Sequence, residues 1–262
     1  MSWWRCLMGI TWRELLRFTH QRGRFFSALV RPLLWLLVFA VGFRAALGDS
    51  IIAPYRSYVT YQIYVIPGLV GMIQLFNGMQ SSLSMVYDRE VGSMRMLLTS
   101  PLPRWWLLTS KLLASVLVSV FQVYAFLLIA GLFGFVAEPI GYLYVMPVLL
   151  ITGMLLGSIG MFLSSAIRQL ENFAGVMNFV VFPMFFLSSA LYPLSSMREN
   201  SELLYYLCSI NPFTHAVELI RFALYVQWNV ESLLWTSFAT AVFLTLAVWG
   251  YKPDRGASAR AR

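Results

Sequence analysis

Five stretches of this chain run without a single Asp, Glu, Lys or Arg: Ser57–Tyr87, Leu112–Ala137, Pro139–Ile167, Asn172–Met197 and Ser232–Tyr251. A helix rises 1.5 Å per residue, so about 20 apolar residues cross the hydrocarbon of a bilayer. Each stretch is long enough. A sixth, Pro32–Phe43, is shorter, and Phe25–Val30 extends it if Arg31 snorkels to one surface and Arg44 to the other. Only 11% of the residues are charged and 59% are hydrophobic, against about a quarter charged in a soluble domain. A single globular core could not hide that much apolar surface, so the solvent is lipid.

The expected fold is all-α and integral to a membrane, one transmembrane domain over residues 1–262 with spans at 27–47, 61–86, 107–134, 141–165, 173–191 and 231–250. The first span is expected to be retained, because Phe43-Arg44-Ala45-Ala46 is a poor match to a cleavage site. Six spans put both termini on one side. With the termini in the cytoplasm, 15 of the 19 basic residues fall inside, and the positive-inside rule selects that orientation. Cys6 and Cys208 then lie on opposite sides and cannot pair. The tail at 252–262 is polar and expected to be disordered.

Residues 1–24 read as an interfacial helix. Trp4, Leu7, Met8, Thr11, Leu15 and Phe18 fall on one face, and Arg5, Arg13 and Arg17 on the other. Such a helix lies along anionic head groups or packs on a partner protein. The segment 87–104 is the longest polar stretch inside. Val91, Met94, Leu97 and Leu98 have the spacing of a short helix that Pro101 and Pro103 end. It is either a docking element or a solvated turn. Residues 192–230 are expected outside, as helices dipping into the outer leaflet. There Asn211 and Pro212 read as an N-cap and first helical residue, and Glu218 and Arg221 are spaced to pair.

Catalytic chemistry is not in evidence. No G-x-x-x-x-G-K-[ST] occurs, so the chain is not expected to bind or hydrolyse a nucleotide by itself. No H-E-x-x-H or G-x-S-x-G occurs, and His20 and His215 fall on opposite sides, so neither a metal site nor a catalytic site is expected. The middles of the spans carry no acids or bases, which argues against a carboxylate-relay transporter. What polar groups remain are largely amides. Gln74, Asn77, Gln122 and Asn178 either line a substrate path or bond between helices.

Taken together, the chain resembles the permease subunit of type-2 ATP-binding-cassette exporters, over nearly its whole length. Two motifs carry the resemblance. One is Asp88-Arg89-Glu90-Val91-Gly92-Ser93 running to Leu97-Leu98-Thr99-Ser100-Pro101, with Lys111 ten residues on; the other runs from Asn211-Pro212-Phe213 to Arg221. The family includes permeases for lipid-linked saccharides, drugs and nodulation signals. The resemblance implies a homodimer in the bacterial inner membrane, served by two copies of a separate ATPase that carries the ATP and magnesium. It further implies a coupling helix over Asp88–Leu98, with Asp88, Arg89, Glu90, Gly92, Arg95 and Leu98 facing the ATPase, and a second contact at the turn of Arg168 and Glu171. One departure is visible. The family's Gly-Thr-x-Glu is here Gly92-Ser93-Met94-Arg95, a base in place of an acid. A motor-independent membrane scaffold or sensor, and a membrane-embedded lipid-processing enzyme, are the competing readings.

Overall fold

A computed structural model describes residues 3–20, 22–42, 61–92, 102–135, 137–167 and 169–251. Among them there are ten helices and no strand: α1 Trp3–His20, α2 Arg22–Gly42, α3 Tyr61–Glu90, α4 Arg104–Leu132, α5 Gly141–Ala166, α6 Leu170–Phe186, α7 Leu194–Asn200, α8 Glu202–Ile210, α9 Pro212–Leu224 and α10 Val230–Gly250. All-helical structure is what lipid demands, since each backbone N–H and C=O is then satisfied within its own segment. Three helices, α4, α5 and α10, are long and apolar enough to cross a membrane. The tail at 252–262, Arg95, Leu98 and Arg168 lie outside the described residues.

The centre of the bundle is α3, which packs against α2, α4, α5, α6 and α9. It is buried along most of its length, from Tyr61 to Val86. Its closest neighbour is α5, and glycines make that approach possible. A Cβ on Gly78 would sit 2.8 Å from the Cα of Gly157, and one on Gly160 would sit 3.0 Å from the carbonyl oxygen of Gly78. Small residues let membrane helices meet backbone to backbone, where packing supplies most of the attraction. We expect Gly78→Leu to force the two helices apart, costing ~1–3 kcal/mol or more. The midpoint of thermal unfolding in detergent checks this, with an unchanged midpoint counting against a seam in contact.

Two helices depart from a simple hairpin ladder. The flank of α1 that carries Cys6 and Ile10 packs on Leu107 and Ala114 of α4. Leu7, Thr11, Leu15 and Phe18 are half-buried, while Trp4, Met8, Trp12 and Leu16 stay exposed, one turn apart each. Of the apolar arc read from the sequence, four residues turn to the bundle and two, Trp4 and Met8, face outward. In α10 only Ser232, Thr236 and Ala247 are buried, so most of its apolar surface faces away from the bundle.

Between α6 and α10 the chain folds into α7, α8 and α9. The apolar face read for the last of these (Phe213, Ala216, Val217, Ile220, Ala223 and Leu224) is fully buried against α3, α5 and α10. Asn211 caps it, its side-chain oxygen accepting from the Phe213 N–H at 3.0 Å. The same side chain donates to the carbonyls of Met184 at 2.8 Å and Leu187 at 2.6 Å, which ties the start of α9 to the end of α6. Pro212 takes the first helical position, where its missing N–H has no partner to lose.

Candidate functional site

The Asp-Arg-Glu triplet expected to open a short separate helix instead closes α3, which continues through Glu90. The helix runs on because each of the three side chains has a partner on another element. Asp88 Oδ2 accepts from Lys111 Nζ of α4 at 2.7 Å, and only 3% of the lysine side chain is exposed. Arg89 donates to the carbonyl of Ile167, the residue that ends α5. Its guanidinium also lies 5.9 Å from the ring centre of Tyr251, just past α10. Tyr251 in turn shares a 2.6 Å hydrogen bond with Ser164 of α5. Glu90 Oε1 accepts from the backbone N–H of Leu170 at 2.9 Å.

That last bond has a clear physical sense. Leu170 is the first residue of α6, and the first N–H groups of a helix have no partner inside it. A carboxylate there also meets the positive end of the helix dipole. Glu90 therefore caps α6 from another helix, beside Glu171, which stands exposed in that same first turn. Gly92 follows with a positive φ of 82°, a conformation open to glycine at little steric cost. It breaks the helical path of the backbone two residues past the end of α3. The result is a single cluster that binds the ends of α3, α4, α5, α6 and the residue after α10, at the point where the 93–101 segment leaves.

The amides sort themselves by structure. Gln74 Nε2 donates to the carbonyl of Leu149 at 2.7 Å, and the Thr152 hydroxyl donates to Gln74 Oε1 at 2.7 Å. Asn77 donates through its side-chain nitrogen to Gln122 Oε1. All three are buried, so these amides tie α3 to α5 and to α4. Asn178 differs, standing exposed on α6.

At the opposite end, Glu218 and Arg221 pair as their spacing foretold, but the arginine is 1% exposed. It donates also to the Ser189 carbonyl at 2.8 Å, and its guanidinium lies 4.0 Å from the ring centre of Tyr64. Nearby, His215 stacks on Trp235 with ring centres 5.4 Å apart, its Nε2 2.9 Å from the Ser209 carbonyl. Burial pushes this imidazole below its ordinary pKa.

Sequence reasoning missed Tyr64, Thr152, Ser164 and Tyr251. None had a local signal, because each acts across more than 70 residues of chain. Arg31 is read from the sequence as a base that snorkels from the first span to one surface. Arg31 stands exposed on α2, its guanidinium 3.9 Å from the ring centre of Phe76, the sixteenth of the thirty residues of α3. Among the described residues no group of three or more His, Cys, Asp or Glu could hold a metal.

Comparison with known proteins adds a family. The model for the ABC-2 type transporter matches residues 5–225. Among curated relatives, ycf38 of Cyanophora paradoxa, which carries the name of a transport permease, is 30% identical over 203 residues, 75% of this chain and 66% of that protein. YbhR of Escherichia coli K12, named as a multidrug ABC transporter permease, is 28% identical over 194 residues, 73% of this chain and 51% of its own length. Nodulation protein J of Rhizobium leguminosarum bv. viciae is 31% identical over 94 residues, 34% of this chain and 35% of that protein. The chain thus covers less than two thirds of the length of the first two relatives. With the family model spanning most of the sequence, the chain belongs to the ABC-2 type transporter family of integral membrane permeases.

Proposed function

We propose that this chain is the permease subunit of an exporter that works as a homodimer with two copies of a separate ATPase subunit. Its six spans place both termini in the cytoplasm of a bacterial cell, in the inner membrane. ATP and magnesium are held by the partner, since no phosphate loop occurs here. The cargo is amphipathic, of the saccharide or lipid type, which suits the aromatic-rich spans. The observation that carries the reading is the placement of Asp88, Arg89 and Glu90. They fasten α3 to Lys111, Ile167 and Leu170, immediately before the segment that would dock on the motor. A push on residues 93–101 then reaches α4, α5 and α6 together. Glu171, exposed beside the Glu90 cap, is available for the second contact.

Glu90→Ala combined with Arg95→Glu is expected to abolish co-purification of a phosphate-loop ATPase from the native host, while the amount of inserted permease stays level. Undiminished recruitment by the double variant would overturn the docking assignment.

A further inference from the structure

In the six-span reading Arg31 lies within the first span, a cation that the permease reading leaves without a task. Among the described residues it has no carboxylate or carbonyl acceptor; its contact is the face of Phe76. It lines a cleft with Pro32, Met72, Ile73, Asn77 and Gln80, and no acid is among the lining residues. Phe76 is 14 residues from the Glu90 end of α3, about 21 Å at 1.5 Å per residue. A charge at that depth in lipid is costly and marks a functional pathway by default.

Below the cleft, α3 carries polar residues at Asn77, Gln80, Ser81 and Ser84. Their spacing of three, four and seven puts them on one helix face. Asn77 is buried and the other three are half-buried. A second small cleft joins Asn77, Ser81 and Ser84 to Glu14 and Arg17 of α1 and Ser115 of α4. Glu14 and Arg17 offset each other in charge, so the net attraction is the arginine at the upper end. On the other side of Arg31, the exposed face of α2 is apolar: Val30, Leu34, Leu37 and Val38.

We infer that this groove takes the anionic head group of a membrane-borne amphipath, with Arg31 as its counter-ion. Ser81 and Ser84 of the α3 stripe offer hydroxyls between the Glu90 end and Arg31, and the outward face of α2 runs beside the tail. An anion desolvated against a guanidinium makes the stronger, charge-assisted kind of hydrogen bond, and an apolar tail gains by burial along α2. A soluble anion would satisfy only the first condition. A carboxylate supplied by a second copy is disfavoured, because no span holds an acid at this depth. The inference deepens the permease reading and rests on it for the side from which the head group enters.

The test is native mass spectrometry of the purified full-length protein, titrated separately with phosphatidylglycerol, phosphatidylcholine and glycerol phosphate. The wild type is expected to prefer phosphatidylglycerol. Arg31→Gln is expected to weaken that binding roughly tenfold or more, with Arg31→Lys in between, and to leave phosphatidylcholine unchanged. Gln80→Leu keeps the charge and is expected to weaken it less. Arg5→Gln, on the exposed side of α1, controls for adsorption to surface bases and should change nothing. Equal phosphatidylglycerol binding by the wild type and Arg31→Gln overturns the inference, as does glycerol phosphate binding as tightly as the lipid. Failure to recover an ATPase partner would sink the permease reading and leave this binding result standing.

Discussion

Replacing Arg221 by alanine is expected to cost on the order of 3–5 kcal/mol, the range for breaking a buried ion pair from one side. The guanidinium is 1% exposed and answers to the Glu218 carboxylate, the Ser189 carbonyl and the face of Tyr64 at once. Its removal leaves Glu218, whose side chain is 15% exposed, as an uncompensated charge, and opens a cavity against α3. The unfolding midpoint in detergent, followed by size-exclusion chromatography with fluorescence detection, measures the loss. Arg221→Lys should fall between, since an ammonium restores the charge but neither the fork nor the flat face. Pairing Glu218→Gln with Arg221→Met should recover much of the stability, because no lone charge remains. A single alanine variant that melts like the wild type would show the pair to be solvated.

The second large effect belongs to Lys111. With its side chain 3% exposed and its Nζ 2.7 Å from Asp88, whose side chain is 23% exposed, Lys111→Met breaks a largely buried pair from one side, and a loss of about 3 kcal/mol is expected. Asp88→Leu together with Lys111→Met should restore much of that. What the double variant should not restore is coupling. If Asp88 transmits force from residues 93–101 into α4, the apolar pair keeps the fold while cargo-stimulated ATP hydrolysis of the assembled complex falls. Normal stimulation in a stable double variant would show that the pair is architectural alone.

Much of the framework was legible because lipid enforces it. Pro139–Ile167 contains no charge, and it holds α5, long and apolar enough to cross a membrane. Asn211-Pro212 announced a helix start, since capping and a fixed φ are local matters, and the cap is there at 3.0 Å. Glu218 and Arg221 were legible as a pair but not as a buried one. A spacing of three says that two side chains can meet and nothing of what covers them; Tyr64, 157 positions before Arg221 in the chain, does the covering. The family resemblance implies that Asp88–Glu90 open a coupling helix. They close α3 instead, and the Glu90 carboxylate caps the first turn of a different helix, α6. The amides posed a true alternative that spacing could not decide. Gln74, Asn77 and Gln122 bond between helices, while Asn178 remains turned outward.

The glycine seam between α3 and α5 governs how such a molecule can change shape. Where two helices touch backbone to backbone, no layer of side chains lies between them to shear or re-rotamerise. Gly78, Gly157 and Gly160 therefore weld α3 and α5 into one stiff plank. Motion has to arise at borders filled by long side chains, such as the Trp35, Phe185 and Phe186 contact between α2 and α6. The plank is expected to turn as a unit, with those aromatic borders as its bearings.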